Sequence, residues 1–326
     1  MTTEQKNIVP LIAGFLGGSV STTLLFPLDI IKVRLQVHES EGRSSRLGAL
    51  RAAGLIYKYE GLGGFFAGWT PAVIGSAISW GGYFFFYEGF KKQLVQHRMG
   101  NSMTSRERAS ILTSFDNFAL AVAAGGIMVA FTNPIWLMKT RMQLQMKRSS
   151  EMHNIQPYAG MRDAFRTIVR EEGILALYRG SGPALLLTSH GGVQFVVYEY
   201  LKKHFHYQRA RREDTSNVWE RFELSLGYLC MGAVAKVAAS TTTYPLQVIK
   251  ARLQQRSQSL ELMANGEIKA VRREYVGMLA TGRHLWQREG FIGFFKGAIP
   301  NALRVAPGAA VTFVVYESVL DFLGGA

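Results

Sequence analysis

Cysteine is almost missing from this chain: Cys230 is the only one in 326 residues. That excludes an internal disulfide framework and a metal site built from cysteines. Acidic residues are also scarce, 23 against 37 lysines and arginines, which leaves a formal charge of +14. Charged residues of both signs reach only 18% and lie mainly between long apolar runs. Interleaving of that kind favours an anionic membrane surface over nucleic acid, and no nucleic-acid partner is expected. Met1–Pro10 lacks the basic region and cleavage site of a signal peptide. Catalytic machinery is missing as well: there is no glycine-rich phosphate loop, no nucleophile beside a base and no metal-ligand cluster. No enzyme activity, bound cofactor or metal is expected.

What the chain has in plenty is uncharged length. Ile8 to Leu28 runs 21 residues without a charge, enough to cross a bilayer at ~1.5 Å per residue. Gly68–Tyr87 and Asn117–Met138 are further runs, and Gly180–Tyr198 is interrupted only by His190. Leu224–Ile249 contains Lys236, and Gly297–Tyr316 contains Arg304. The expected fold is therefore an all-α membrane protein with six transmembrane helices.

Three of the six runs end in one pattern. Pro27-Leu28-Asp29-Ile30-Ile31-Lys32-Val33-Arg34-Leu35-Gln36 recurs from Pro134 to Gln143 and from Pro245 to Gln254, with Pro, Lys, Arg and Gln at matching offsets. The period, 107 and then 111 residues, is too long for a solenoid and implies multi-helix repeats. Three repeats, 1–105, 106–215 and 216–326, are expected within one transmembrane domain. Each connecting loop carries a short amphipathic stretch ending in Glu60-Gly61, Glu172-Gly173 or Glu289-Gly290, which reads as an interfacial helix closed by glycine. Loops after the odd spans hold 21 lysines and arginines against 11 after the even spans. The proline motifs are therefore expected on the inner side. After each even span comes Tyr87-Glu88 with Lys91, Tyr198-Glu199 with Lys202, and Tyr316-Glu317 with Leu320.

Together these elements resemble the mitochondrial carrier family across essentially the whole chain. The resemblance implies a six-helix monomer that moves metabolites across the inner mitochondrial membrane by alternating access. Trp136, in Asn133-Pro134-Ile135-Trp136, resembles the branch that moves nucleotides, dinucleotides, flavins and folates. Ser79-Trp80-Gly81, Thr188-Ser189-His190-Gly191, Lys236 and Arg304-Val305-Ala306-Pro307 look most like the folate/FAD carriers. The resemblance also implies membrane-lipid contact, with cardiolipin near Gly68, Arg179, Gly180, Lys296 and Gly297.

Two gates of unequal strength are expected. On the inner side the acid positions hold Asp29, Trp136 and Gln247, and the basic positions hold Lys32, Lys139 and Lys250. Only one full ion pair is available, by family analogy between Asp29 and Lys139. Gln247 is expected to hydrogen-bond Lys32, and Trp136 to offer Lys250 a cation–π face. Gln36, Gln143 and Gln254 match the family's bracing glutamines. On the outer side Tyr87, Glu88, Lys91, Tyr198, Glu199, Lys202, Tyr316 and Glu317 offer at most two pairs.

A substrate without three-fold symmetry is read by residues that do not repeat. Stepping back by four from each tyrosine gives Tyr83 and Ser79, then Gln194 and His190, then Thr312, Gly308 and Arg304, with Trp80 beside the first stripe. Nine residues before each proline stand Gly18, Gly125 and Lys236. A lysine and an arginine within spans cost free energy unless they face water or a partner, and no acid lies at their depth. A small anionic substrate is expected to supply the negative charge. Lys236, Arg304, His190 and Gln194 would hold it, with Ser79 alongside, and Trp80 and Tyr83 would stack on its ring. A snorkelling lysine and a packing histidine are the competing readings.

The transported solute is expected to be FAD or a folate. The alternatives are a pyrimidine-nucleotide, NAD or CoA carrier, mitochondrial or peroxisomal, and a nucleotide-binding uncoupler or scaffold that does not transport.

Overall fold

The computed structural model describes residues 3–38, 48–99, 113–146, 156–205, 218–256, 258–262, 268–272, 275 and 277–324. The first repeat contains α1 (Thr3–Val37), α2 (Ala49–Glu60) and α3 (Trp69–Met99). The second contains α4 (Ser114–Leu144), α5 (Met161–Glu172), α6 (Ser181–Leu186) and α7 (His190–His204). The third contains α8 (Val218–Thr242), α9 (Tyr244–Gln254), the strands β1 (Gln258–Leu262) and β2 (Ile268–Arg272), then α10 (Met278–Gly293) and α11 (Ala298–Gly324). The body is all-helical, as the apolar runs imply. The antiparallel hairpin, in which Leu262 faces Ile268, is an addition in the third loop.

Among the described residues, four helices are long and apolar enough to cross a membrane: Leu16–Val37, Leu62–His97, Ala119–Leu144 and Ala298–Tyr316. The other two expected spans are each made of two helical pieces. Between α6 and α7, the Thr188 and Ser189 hydroxyls donate to the carbonyls of Leu185 and Leu186, both at 2.7 Å. Bonds to a residue three back tighten this stretch into the 3₁₀ turn Leu187–Ser189. Between α8 and α9 the helix breaks at Thr243, and Pro245, which has no N–H to donate, falls in the first turn of α9. Pro134 is instead accommodated inside a continuous α4, which starts from a capping box between Thr113 and Asp116.

The helices close a ring. Each repeat's last long helix packs on the first helix of the next: α3 on α4, α7 on α8, and α11 back on α1. Each repeat also has a core at its proline-motif end. Phe26, Ile30, Ile31 and Leu35 of α1 bury against Ala52 and Ile56 of α2. Leu137, Met138 and Met142 meet Ala164 and Ile168 in the second repeat, and Tyr244 and Val248 meet Leu285 in the third. Fully burying a side chain such as Ile56 contributes about 1.5–3 kcal/mol. The interfacial helices are thus anchored by their apolar faces.

Glycine is required at the next junction. Gly68, Gly180 and Gly297 have φ of 78, 80 and 80°, a left-handed conformation that other residues adopt at a cost. A Cβ on Gly68 would lie 3.0 Å from the Lys139 carbonyl, and one on Gly297 would lie 2.8 Å from the Lys32 carbonyl. One on Gly180 would lie 3.4 Å from the Lys250 carbonyl. The entrance to each even helix therefore rests on the motif of the following repeat.

Candidate functional site

The proline motifs converge. Lys139 Nζ donates to Asp29 Oδ2 at 2.7 Å across the seam between the first two repeats. Gln143 Nε2 donates to the same oxygen at 3.1 Å. Between the third and first repeats, Lys32 Nζ donates to Gln247 Oε1 at 3.0 Å. Thr140 Oγ1 donates to Gln254 Oε1 at 2.9 Å across the remaining seam, and Gln36 lies against Tyr244. The aromatic contact differs from expectation. Lys139, not Lys250, sits over the Trp136 ring, 5.3 Å from its centroid. Residues three apart on one helix share a face, so the lysine within α4 reaches the ring first.

Beneath these contacts runs a cycle of buried arginines that the sequence reading left unassigned. Arg34, Arg141 and Arg252 are 7%, 2% and 0% exposed. Each pairs with the glutamate closing its own repeat's interfacial helix: Arg34 with Glu60, Arg141 with Glu172 and Arg252 with Glu289. Each Nε also donates to a main-chain carbonyl of the next repeat, Arg34 to Gln143, Arg141 to Gln254 and Arg252 to Gln36, all at 3.1 Å. The signal was available, because the arginine and the Glu-Gly pair both recur three times. Burial alone would push the Glu172 carboxyl up. Hydrogen bonding and charge from Arg141, with Arg179 and Arg256 nearby, hold it below the ordinary glutamate range instead.

At the opposite end the charges behave differently. Glu88 and Lys91 lie 3.9 Å apart, and Glu199 and Lys202 lie 3.7 Å apart, each pair on a single helix. The expected pairing between neighbouring helices is not formed by these residues. Tyr87 stacks with Tyr83 at 6.0 Å, Tyr198 and Tyr316 are half-buried, and the Glu317 side chain lies outside the described residues.

Above the motif contacts lies a cavity of about 380 Å³. Its lining includes Asp29, Lys32, Lys139, Lys236, Lys250 and Arg304, five cations and one acid. Lys236 is exposed in it and Arg304 half-buried, and neither has a hydrogen bond or ion pair among the described residues. His190 also lines it. Its Nδ1 lies 3.1 Å from Thr243 Oγ1, which gives its own proton to the Ala239 carbonyl at 2.8 Å. Position 236 opens to the cavity; of its two counterparts, a Cβ on Gly125 would meet Thr188 at 3.3 Å, while Gly18 has open space around it.

Lys236, Arg304 and His190 are thus brought together. Ser79, Tyr83 and Gln194 are not among the residues lining this cavity, and the Trp80 side chain lies outside the described residues. Two lining residues were missed. Asn301 Nδ2 donates to Ser240 Oγ at 2.7 Å, and Gln247 Nε2 reaches the same oxygen at 3.4 Å. Asn301 stands four residues after Gly297, where the other repeats have Ala72 and Ala184, so the same break in symmetry would have found it.

The arrangement can bind an anion at its cations and close one end by contacts between repeats. A family model described as "Mitochondrial carrier protein" matches residues 3–98, 111–209 and 223–326. Folate transporter 1, chloroplastic, of Arabidopsis thaliana is 40% identical, covering 95% of this chain and 94% of its own. Nicotinamide adenine dinucleotide transporter 1, chloroplastic, from the same plant is 33% identical over 98% and 94%. Peroxisomal membrane protein PMP34 of Mus musculus is 30% identical over 96% and 92%.

Proposed function

The chain belongs to the mitochondrial carrier family, as a transporter and not an enzyme, and we propose that its solute is a ring-bearing polyanion, FAD and/or folate. The observation that carries this reading is the pair Lys236 and Arg304, cations without a carboxylate partner among the described residues. Charges at such depth are costly unless they serve an ion or substrate pathway. The 40%-identical folate transporter supports folate as the solute class. A second reading, NAD, rests on the relatives named as dinucleotide transporters.

In this proposal the proline-motif end is the inner gate, closed through Asp29–Lys139 and Lys32–Gln247. The opposite end is an open outer gate, since its described carboxylates pair only along their own helices. Substrate enters from that side, meets Lys236 and Arg304, and its binding offsets the cost of parting the inner contacts while the outer pairs assemble. The proposed setting is a monomer of three repeats in the inner mitochondrial membrane, with the peroxisomal membrane as the alternative and cardiolipin near Gly68, Gly180 and Gly297. Uptake of labelled FAD, folate, NAD and pyrimidine nucleotides by liposomes containing the purified protein tests the substrate. Uptake of FAD or folate, reduced by excess of either, is expected. Uptake of NAD alone overturns the assignment.

A further inference from the structure

One hydrogen-bonded chain leads from the cavity wall to the gate. Asn301, on α11, donates from Nδ2 to Ser240 Oγ on α8 at 2.7 Å. Gln247, on α9, donates from Nε2 to that same Oγ at 3.4 Å and to the Ser240 carbonyl at 3.5 Å. Its other end, Oε1, accepts from Lys32 of the first repeat at 3.0 Å. The amide is not free to turn round. A main-chain carbonyl only accepts and an ammonium only donates, so Nε2 must face Ser240 and Oε1 must face Lys32. The chain also spans the break at Thr243, because Ser240 precedes it and Gln247 follows it.

This link belongs to the third repeat. Counted from the motif prolines and the loop glycines, Ser240 and Asn301 correspond to Thr22 and Ala72 in the first repeat and to Val129 and Ala184 in the second. Ala72, Val129 and Ala184 carry no polar side-chain atom, so neither of those repeats can form it. Asn301 and Ser240 are 5% and 6% exposed, and both line the cavity. Each also adjoins a substrate cation. Ser240 lies one turn after Lys236 on α8, and Asn301 one turn before Arg304 on α11, so each shares a face with its cation. A solute held by Lys236 and Arg304 rests beside the Asn301–Ser240 bond and competes for both side chains.

We propose, on the basis of the transport reading above, that Asn301 and Ser240 are positioning residues that couple solute binding to the inner gate. With the cavity empty they hold the Gln247 amide on Lys32. Solute at Lys236 and Arg304 breaks the Asn301–Ser240 bond and loosens Gln247. Opening of the gate parts the same link. The cost of breaking it therefore falls only on binding to the closed state, and the solute binds the open state more tightly. A difference in affinity of that kind is what a ligand needs to shift a conformational balance.

The test is the balance between inner-closed and inner-open molecules of the full-length protein in detergent, with and without solute. Val37 is buried with Leu144 and Ala251 at the motif ends. Val37→Cys in a Cys230→Ser background therefore reports inner opening by its labelling. Asn301→Ala and Ser240→Ala are compared with the parent. Ala72 and Ala184 hold the positions equivalent to 301, so alanine there suits the helix. FAD, folate, NAD and a pyrimidine nucleotide are each added to saturation.

Without solute, each variant should be about three- to tenfold richer in inner-open molecules, the worth of one hydrogen bond. At saturation parent and variants should coincide, because the link is then broken in all of them. An offset of the same size with and without solute would make Asn301 and Ser240 plain supports of the gate and overturn the coupling. Equal balances without solute would overturn it too. In both cases the parent still responds to solute, so the transport reading stands. If none of the four solutes moves the parent's balance, the transport reading fails and the coupling fails with it.

Discussion

Lys139 and Asp29 meet at 2.7 Å across 110 residues of sequence, with Gln143 bonded to the same carboxylate oxygen. Among the described residues this is the one ion pair joining two motifs; the neighbouring seam relies on the neutral acceptor Gln247. A gate with one ion pair and one lysine–amide bond, and with Lys250 unpaired among the described residues, is open to strengthening.

Replacing Gln247 with Glu should do so. Lys32 already points at its side-chain oxygen, so the substitution exchanges a neutral acceptor for a charged one at fixed geometry. Charge-assisted bonds are roughly twice as strong, and the closed inner state should gain about 1 kcal/mol. Side-specific cysteine labelling should show fewer inner-facing molecules. A balance equal to the parent's would mean that Gln247 is not part of the gate.

Lys236→Ala should separate stability from transport. The side chain has no partner among the described residues, and its counterparts are Gly18 and Gly125, so melting temperature should stay level or rise. Uptake of anions should fall at least about tenfold, the loss of one hydrogen bond to a charged group. Lys236→Arg should recover part of it, since the planar fork replaces a point charge. An unfolded Ala variant, or parental uptake, would make the lysine structural.

Arg252→Ala should have the opposite profile. It leaves Glu289 with Lys296 as its one cation among the described residues and removes the bond to the Gln36 carbonyl. Breaking one partner of a buried pair costs about 3–5 kcal/mol, so the protein should melt well below the parent with and without substrate. A substrate-specific loss at unchanged melting temperature would contradict this.

Acid should weaken the second repeat through Glu172. Its carboxyl is held below the ordinary range in the folded protein, so its contribution is complete above the unfolded value of about 4.3 and fades as pH drops through the folded one. Glu172→Gln should melt lower at neutral pH and lose less on going to acid. Parallel acid curves for parent and variant would assign the acid sensitivity elsewhere.

Much of this was legible because it occurs three times. Prolines, lysines, arginines and glutamines at fixed offsets give the helices, their common depth and the convergence of the motifs before any coordinates. Side-chain reach was not legible. Trp136 and Lys139, like Glu88 and Lys91, are three residues apart on one helix, and that short-range option competes with any partner across a seam. Sequence offsets cannot show which contact forms, because it depends on how far apart the helices stand at that end. The polar stripe that steps back by four from Tyr316 likewise ends at Arg304, one turn before Asn301. The first stripe includes Tyr83, which stacks on Tyr87 and is not among the residues lining the cavity.

The arginine bonds run one way round, from first repeat to second, second to third and third to first, and α11 packs along α1 in the same manner as the covalently consecutive repeats. The seam where the chain starts and stops is therefore built like the two that it threads. A circularly permuted chain, opened between α3 and α4 and joined from α11 to α1, would keep every one of these bonds.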